Sequence, residues 1–400
     1  MQGAPPWDPQ RLVTLANWQD PPFNRWGFQH VRDLIPTARI DRGTGSVWRL
    51  PREERDLTAV RFTLDGQDWT VGAMLDATWT DGFCVLHRGR LVTERYSNGL
   101  TPQGTHLLMS VSKSITSAVA GILVGRGRLD PAALVTQVVP ELAGTSFDGA
   151  TVQHLLDMRT GTRFDEDYAN PAADVRVYEQ VFLWRPRDPD SGLPDDALSY
   201  YATLGNDEPH GGAFRYRSVL TDVLAWVIER AGGARLSDLL SRELWQPMGA
   251  EFDAEITVDG RGNPMADGGI CATLRDVARF GLLCLRGGVR GRRQIVPGAW
   301  LADTLAGAPD GPAAFVQAHD EETRGFPPGA HYRNQWWVWD PAAPSSFASG
   351  INGQHIYVHG PTDTVVAKLS TWPAADDPFL WRLTRAGAEA IGQTLAGEGA

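Results

Sequence analysis

The apolar residues of this chain change their period along its length, and that change restricts the folds open to it. From Gly82 to Tyr96 they alternate: Phe83, Val85 and His87 precede a break at Arg88-Gly89-Arg90, and Leu91 and Thr93 follow it. Alternation around such a break predicts a β-hairpin. From Ser110 the spacing turns helical, with Ile115, Ala118, Val119, Ile122 and Leu123 on one face and Gly125 and Gly127 as its stop. The spacing stays mostly helical between Pro131 and Leu244, as in Leu220, Val223, Leu224, Val227 and Ile228. After Gly268 it predicts helices over Leu274 to Leu285 and near Pro297 to Leu305, β-rich runs at Gln335 to Trp339, His355 to Val358 and Thr364 to Ser370, and a last helix from about Pro378. Residues 1 to 76, rich in Pro, Trp and Arg, read as an irregular wrap. Strands at both ends of the chain with helices between them imply one sheet assembled from the two ends and a helical second domain. The expected division is a discontinuous α/β domain from residues 1–130 and 272–400 and an all-helical domain over 131–271, with the active site between them.

Composition narrows the function. With 42% hydrophobic and 21% charged residues the chain is ordinary globular material, and 37 basic against 48 acidic side chains give a net charge of −11. That balance lacks the electrostatic footprint for nucleic acid or an anionic membrane. The longest apolar candidate, Ala118 to Gly125, stops at Arg126, too short to span a bilayer. Met1 to Asp8 lacks the basic start and apolar run of a secretory signal, so the expected location is the cytoplasm. Cys84, Cys271 and Cys284 are too scattered for a disulfide framework and read as buried thiols. None of the nine histidines falls in a metal-binding spacing, and His154, beside Leu155 and Leu156, reads as structural. Gly260-Arg261-Gly262 lacks the frame of a phosphate loop. No metal and no cofactor are expected.

Met109-Ser110-Val111-Ser112-Lys113-Ser114 heads the first amphipathic helix. Residues three apart share a helix face, so the Lys113 amine can reach the Ser110 hydroxyl. Burial disfavours an ammonium, which would let Lys113 take the serine proton, and the unpaired N–H groups at the helix start suit a developing oxyanion. The competing reading of the same spacing is a helix cap beside a solvated lysine.

Several segments carry a resemblance. Ser110-Val111-Ser112-Lys113, Thr151-Val152-Gln153-His154-Leu155-Leu156-Asp157-Met158, Tyr216-Arg217-Ser218 and Leu244-Trp245-Gln246-Pro247-Met248-Gly249 occur in the order and spacing of the serine β-lactamase and penicillin-binding superfamily, class C branch. With Trp18-Gln19-Asp20-Pro21-Pro22, Asn24-Arg25-Trp26, His106 to Ser110, Asp165-Glu166-Asp167-Tyr168, Thr221 to Trp226 and Gln335-Trp336-Trp337, the chain resembles the 6-aminohexanoate-dimer hydrolases over essentially its full length. The implied fold is the α/β (α+β) serine β-lactamase-like fold: an antiparallel sheet flanked by helices, plus an all-helical domain.

The resemblance also implies roles. Ser110 would be the nucleophile, Lys113 its helical neighbour and Tyr216 the hydroxyl sharing proton transfer, with Ser218 where the family often has Asn. The superfamily's edge strand with Lys/His-Thr/Ser-Gly is matched by Ala348-Ser349-Gly350, without the cation, which argues against penicillins as substrates; Ile351 would supply an oxyanion-hole N–H. Asn352-Gly353-Gln354 is an alternative alignment of this motif. At the rim of the cleft, Tyr168 would be a mobile substrate-contacting tyrosine, Glu179 a carboxylate for the substrate's free amine, and Asp267 would stand where relatives carry an amide or imidazole; both acids also read as solvated loop residues. Trp337, or Trp336 beside it, would wall the substrate's alkyl chain or pack the core.

The expected activity is serine hydrolysis of short linear amides or carboxylic esters through an acyl-enzyme, acting on a small molecule. A plain carboxylesterase and a non-catalytic binding protein on the same fold are the alternatives, and a homodimer is an allowed assembly.

Overall fold

The structure, a computed structural model, describes residues 8–318 and 325–397. Met1 to Trp7, on which most of the reading against a secretory signal rests, lie outside the described residues. In chain order the strands that frame the molecule are β1 (Thr37–Ile40), β2 (Thr80–His87), β3 (Arg90–Tyr96), β4 (Thr105–Leu107), β5 (Ala254–Thr257), β6 (Ile270–Thr273), β7 (His331–Arg333), β8 (Trp336–Asp340), β9 (Ser345–Gly350), β10 (Gln354–His359) and β11 (Thr364–Ser370). The main helices are α1 (Val111–Gly125), α2 (Val219–Gly232), α3 (Leu274–Leu285) and α4 (Pro378–Gly397).

The predicted hairpin is β2 and β3, turned by Arg88 and Gly89, whose φ values of 51° and 75° make the left-handed pair that matches strand twist. It joins a seven-stranded sheet of order β7-β8-β9-β10-β11-β2-β3. Val366 on β11 pairs with Val85 on β2, so one antiparallel sheet is built from the two ends of the chain. Even-numbered β9 and β10 residues such as Ala348 and Ile356 share one face, on which Ile356 meets Gly281 of α3. Phe347, Ser349 and His355 share the other, where Phe347 meets Trp381 of α4.

Several expectations change. The described part of residues 1 to 76 is more regular than a wrap: it holds β1, a hairpin of Arg61–Leu64 with Gln67–Thr70 and most of a helix, Val71–Ala77. The strands of that hairpin are short and half exposed, so their apolar alternation is faint. Span 131–271 is helical as far as Met248 but then carries β5 and the start of β6, which pair with β1 and β4 in a four-stranded sheet of order β1-β5-β6-β4. Strand β9 is not an edge, because β7 and β8 add outside it.

The turn between β7 and β8 explains why Gln335 is not a strand residue. Asn334 and Gln335 both take positive φ, 51° and 63°, and their carbonyls accept from Ser117 and Ser114 of α1, at 2.6 Å each. The Gln335 side chain donates to the carbonyls of Leu155 and Leu156 and accepts from Thr221 of α2. This buried turn pins the sheet to α1 and to the helical side of the molecule, and it sets the position of Trp337.

Candidate active site

The chain turns sharply ahead of α1. Leu108 donates its N–H to the Ile270 carbonyl at 2.8 Å, and Met109 takes φ 47°, uncommon for a residue with a side chain and typical of functional turns. Ser110 then stands at the N-cap of α1 but makes no side-chain cap bond, so its hydroxyl is available. Lys113, 1% exposed, donates from Nζ to Ser110 Oγ at 2.8 Å, Ser218 Oγ at 3.0 Å and the Asp267 carbonyl at 3.1 Å. This is neither a capping serine nor a solvated lysine. The Tyr216 ring centroid lies 4.9 Å from Lys113 Nζ, and the ring stacks on Trp337 at 5.4 Å with 21° between planes.

Ser218 heads α2 and binds Glu166 twice, donating from Oγ to Oε1 and from its N–H to Oε2 at 2.9 Å. Tyr168 donates its hydroxyl to the same carboxylate at 2.8 Å, and the Arg176 guanidinium lies 5.3 Å from the Tyr168 ring. Burial pushes the Glu166 carboxyl above its ordinary range, while Lys113 and the hydrogen bonds pull it down. Tyr168 is pushed well above the usual phenol, by burial first and then by Glu166.

Ser110, Tyr168, Tyr216, Trp337 and Ile351 line one cavity of about 210 Å³, and Ser349 and Gly350 line it as well. Gly350 is pressed against the Ser110 backbone: a Cβ on it would fall 2.8 Å from the Leu108 oxygen and 2.9 Å from the Ser110 nitrogen. Ala348 points to the opposite face, while Asn352 and Gln354 turn their side chains into the backbone around Ser370 to Ala374.

Neither acid expected at the rim is placed there. Glu179, 3% exposed, is tied to Arg176 at 3.0 Å and to Arg185 by a short contact, so its charge is already balanced. The Arg176 pair is local, three residues apart on one helix, and competes with any substrate amine. Asp267 is 5% exposed and lies behind Lys113, with Oδ2 at 3.8 Å from Nζ and Oδ1 buried without a hydrogen-bond partner among the described residues. Its backbone is held by Asp222, which accepts from the N–H groups of Ala266 and Asp267 and from the Tyr178 hydroxyl. Burial and then the Asp267 charge raise the Asp222 carboxyl well above its ordinary range.

Two groups of site residues escape the sequence reading. Glu166 sits inside the Asp165 to Tyr168 segment, where its acidic neighbours hide it among solvated loop charges. Phe326, Trp339 and Trp381 wall the far part of the cavity, with Arg382 and Arg385 of α4 in its lining. Arg385 lies 4.0 Å over the Trp339 ring and pairs with Glu389, and Arg382 pairs with Asp65. No short motif links these segments, which only the sheet brings together.

A buried lysine on an uncapped serine hydroxyl, a tyrosine against that lysine and a sheet strand closing on the serine amide are the site of a serine hydrolase of the β-lactamase fold. Residues 73–389 match the Beta-lactamase family, and the chain belongs to that family. It is 39% identical over 363 residues to the 6-aminohexanoate-dimer hydrolase of Paenarthrobacter ureafaciens, an alignment covering 91% of this chain and 89% of that one. A solved Bacillus anthracis structure provisionally named for the same activity superposes with a TM-score of 0.84 at 27% identity, covering 96% of this chain and 97% of its own. The fold is shared more distantly with EstCE1, a hydrolase with promiscuous acyltransferase activity, at a TM-score of 0.58 and 17% identity over 80% of this chain and 98% of that one. Among the described residues no helix is long and apolar enough to cross a membrane.

Proposed function

We propose that this enzyme hydrolyses short linear amides of the 6-aminohexanoate-dimer type, and carboxylic esters, through an acyl-enzyme on Ser110. The observation that carries the reading is the 2.8 Å contact of Lys113 Nζ with an uncapped Ser110 Oγ at the wall of an aromatic cavity. Ser110 Oγ attacks the carbonyl carbon as its proton passes to the Lys113 and Tyr216 pair, and the amide N–H groups of Ser110 and Ile351 receive the developing oxyanion. The pair then protonates the departing amine or alcohol, and water repeats the sequence on the acyl-enzyme. Trp337, Phe326 and Trp339 give the alkyl chain an apolar wall.

One observation favours a second reading, a carboxylesterase with little amidase activity. Glu179 is already paired with Arg176 and Arg185, so the acid expected to hold a substrate ammonium is occupied. The test compares kcat/KM for the 6-aminohexanoate dimer and a short-chain nitrophenyl ester, with fluorophosphonate labelling of wild type and Ser110→Ala. Amide turnover and labelling lost in the variant support the amide reading. Ester turnover without amide turnover favours the esterase, and an unlabelled wild type overturns both.

A further inference from the structure

We infer that Glu166 is a positioning residue that acts through Ser218 to aim Lys113 at the nucleophile. The inference rests on the Ser110 and Lys113 reading above. It follows from counting protons around Lys113 Nζ. A carboxylate only accepts hydrogen bonds and a serine hydroxyl has one proton to give. Because Ser218 Oγ and its N–H both engage Glu166, the hydroxyl proton of Ser218 lies on the Glu166 side. Toward Lys113, 3.0 Å away, Ser218 Oγ therefore presents a lone pair. The Asp267 carbonyl, at 3.1 Å, likewise only accepts. Two of the three tetrahedral positions of Nζ are thus fixed as N–H, and the third points at Ser110 Oγ, 2.8 Å away. In the ammonium this third position is a proton donated to Ser110. In the neutral amine it is the lone pair, aimed at the proton Ser110 must give up.

When Ser110 Oγ bonds to the carbonyl carbon, its proton moves to that lone pair and the amine becomes an ammonium with every N–H already met by an acceptor. Glu166 exchanges no proton in this step. If its charge is removed, the Ser218 hydroxyl becomes free to turn and donate to Lys113, and the lone pair is drawn off the nucleophile. The groups facing this cluster are Lys113 from α1, Tyr216 and Ser218 at the head of α2, Asp267 and, farther back, Asp222, and Tyr168 on Glu166's own loop with Arg176 over its ring. None of these contacts requires substrate, so the alignment is present before binding.

The experiment uses Glu166→Gln, Glu166→Asp, Ser218→Ala and the Glu166→Gln/Ser218→Ala double variant. Ester kcat is normalised to the fraction of enzyme that labels with a fluorophosphonate. Glu166→Gln is expected to lower normalised kcat about 10- to 100-fold, at or below the lower end of what a general base itself contributes because Glu166 acts through Ser218, while changing KM less than about twofold. The acid limb of its kcat profile moves to lower pH, because the negative charge favouring the protonated amine is gone. Glu166→Asp restores the position of the limb, and the double variant is little worse than Ser218→Ala, as expected of residues acting in series. A merely structural glutamate would lower the labelled fraction and move neither normalised kcat nor the limb, which overturns the inference. So would fully additive losses in the double variant. A wild type that neither labels nor turns over ester overturns the hydrolase reading itself, a result distinct from a working wild type with an indifferent Glu166.

Discussion

Gly350 and Ser110 meet backbone to backbone: a methyl group on Gly350 would stand 2.9 Å from the Ser110 nitrogen and 2.8 Å from the Leu108 oxygen. Gly350 has extended dihedrals, φ −131° and ψ 147°, so space rather than conformation calls for glycine. In the proposed mechanism this contact lets the end of β9 approach Ser110 closely enough for the N–H groups of Ser110 and Ile351 to face one oxyanion. Gly350→Ala must push β9 away from α1, and loss of one oxyanion donor costs about 10²- to 10³-fold in kcat. We expect a folded protein with ester kcat reduced at least about 10²-fold, checked by steady-state kinetics beside circular dichroism. Turnover within a few-fold of wild type would contradict the proposed position of the oxyanion hole.

Glu179 yields a different prediction from the one its alignment suggests. As a rim carboxylate it would contribute to amine binding, and Glu179→Gln would harm amides selectively. Buried between Arg176 and Arg185, it instead joins the helix Asp174–Val181 to the loop after it. Losing a charged hydrogen bond there costs roughly 1.5–3 kcal/mol of stability. Thermal unfolding of Glu179→Gln should show that loss, with amide and ester kcat/KM falling together; a selective amide defect would return Glu179 to substrate binding.

What was legible in the sequence follows the range over which each feature is encoded. Ser110 and Lys113 are one helical turn apart, so their meeting is local, and the switch of period around residue 110 marks the helix that presents them. The Arg176 and Glu179 pair is equally local and could have been read from its spacing. Glu166 reaches Ser218 across 52 residues of loop and helix, and nothing in either segment announces the contact. The aromatic wall from Phe326 to Trp381 exists only because β8, β9 and α4 share one face of the sheet. The motif of β9 alone implies an edge strand, because the buried turn at Asn334 and Gln335, which brings β7 and β8 alongside, leaves no strand-like alternation.

Penicillins and cephalosporins should be poor substrates. In the alignment the resemblance implies, the strand cation of β-lactam enzymes falls at Ala348, an alanine buried on the sheet face opposite the cavity. Among the described residues the cations that line the cavity, Arg382 and Arg385, are each paired with an acid, Asp65 and Glu389. Nitrocefin kcat/KM is expected to be at least about 10²-fold below that of a nitrophenyl ester, since a lost charged contact of about 1.5–3 kcal/mol already accounts for roughly one to two powers of ten. Comparable rates would show that one of these arginines takes the missing role.

Lys368 offers a test of the sheet itself. It is wholly buried on β11, with Nζ bonded to Ser370 Oγ, 3.4 Å from the Thr78 carbonyl and 5.7 Å from the Trp372 ring centroid. Burial pulls its pKa down to about 7, against the opposing pull of Asp81. In the unfolded chain a lysine titrates near 10.4, so between roughly pH 7 and pH 10 the unfolded state holds a proton that the folded state lacks. Stability from this group must then rise with pH across that window and stay at its lowest level below about pH 7, where both states are charged. Lys368→Met removes the penalty and keeps the length of the side chain. We expect the variant to melt several degrees higher than wild type at pH 7, less the loss of the Ser370 contact, and the difference to shrink toward pH 10. A difference independent of pH would mean that Lys368 stays charged in the fold, held by Asp81 more strongly than burial opposes it.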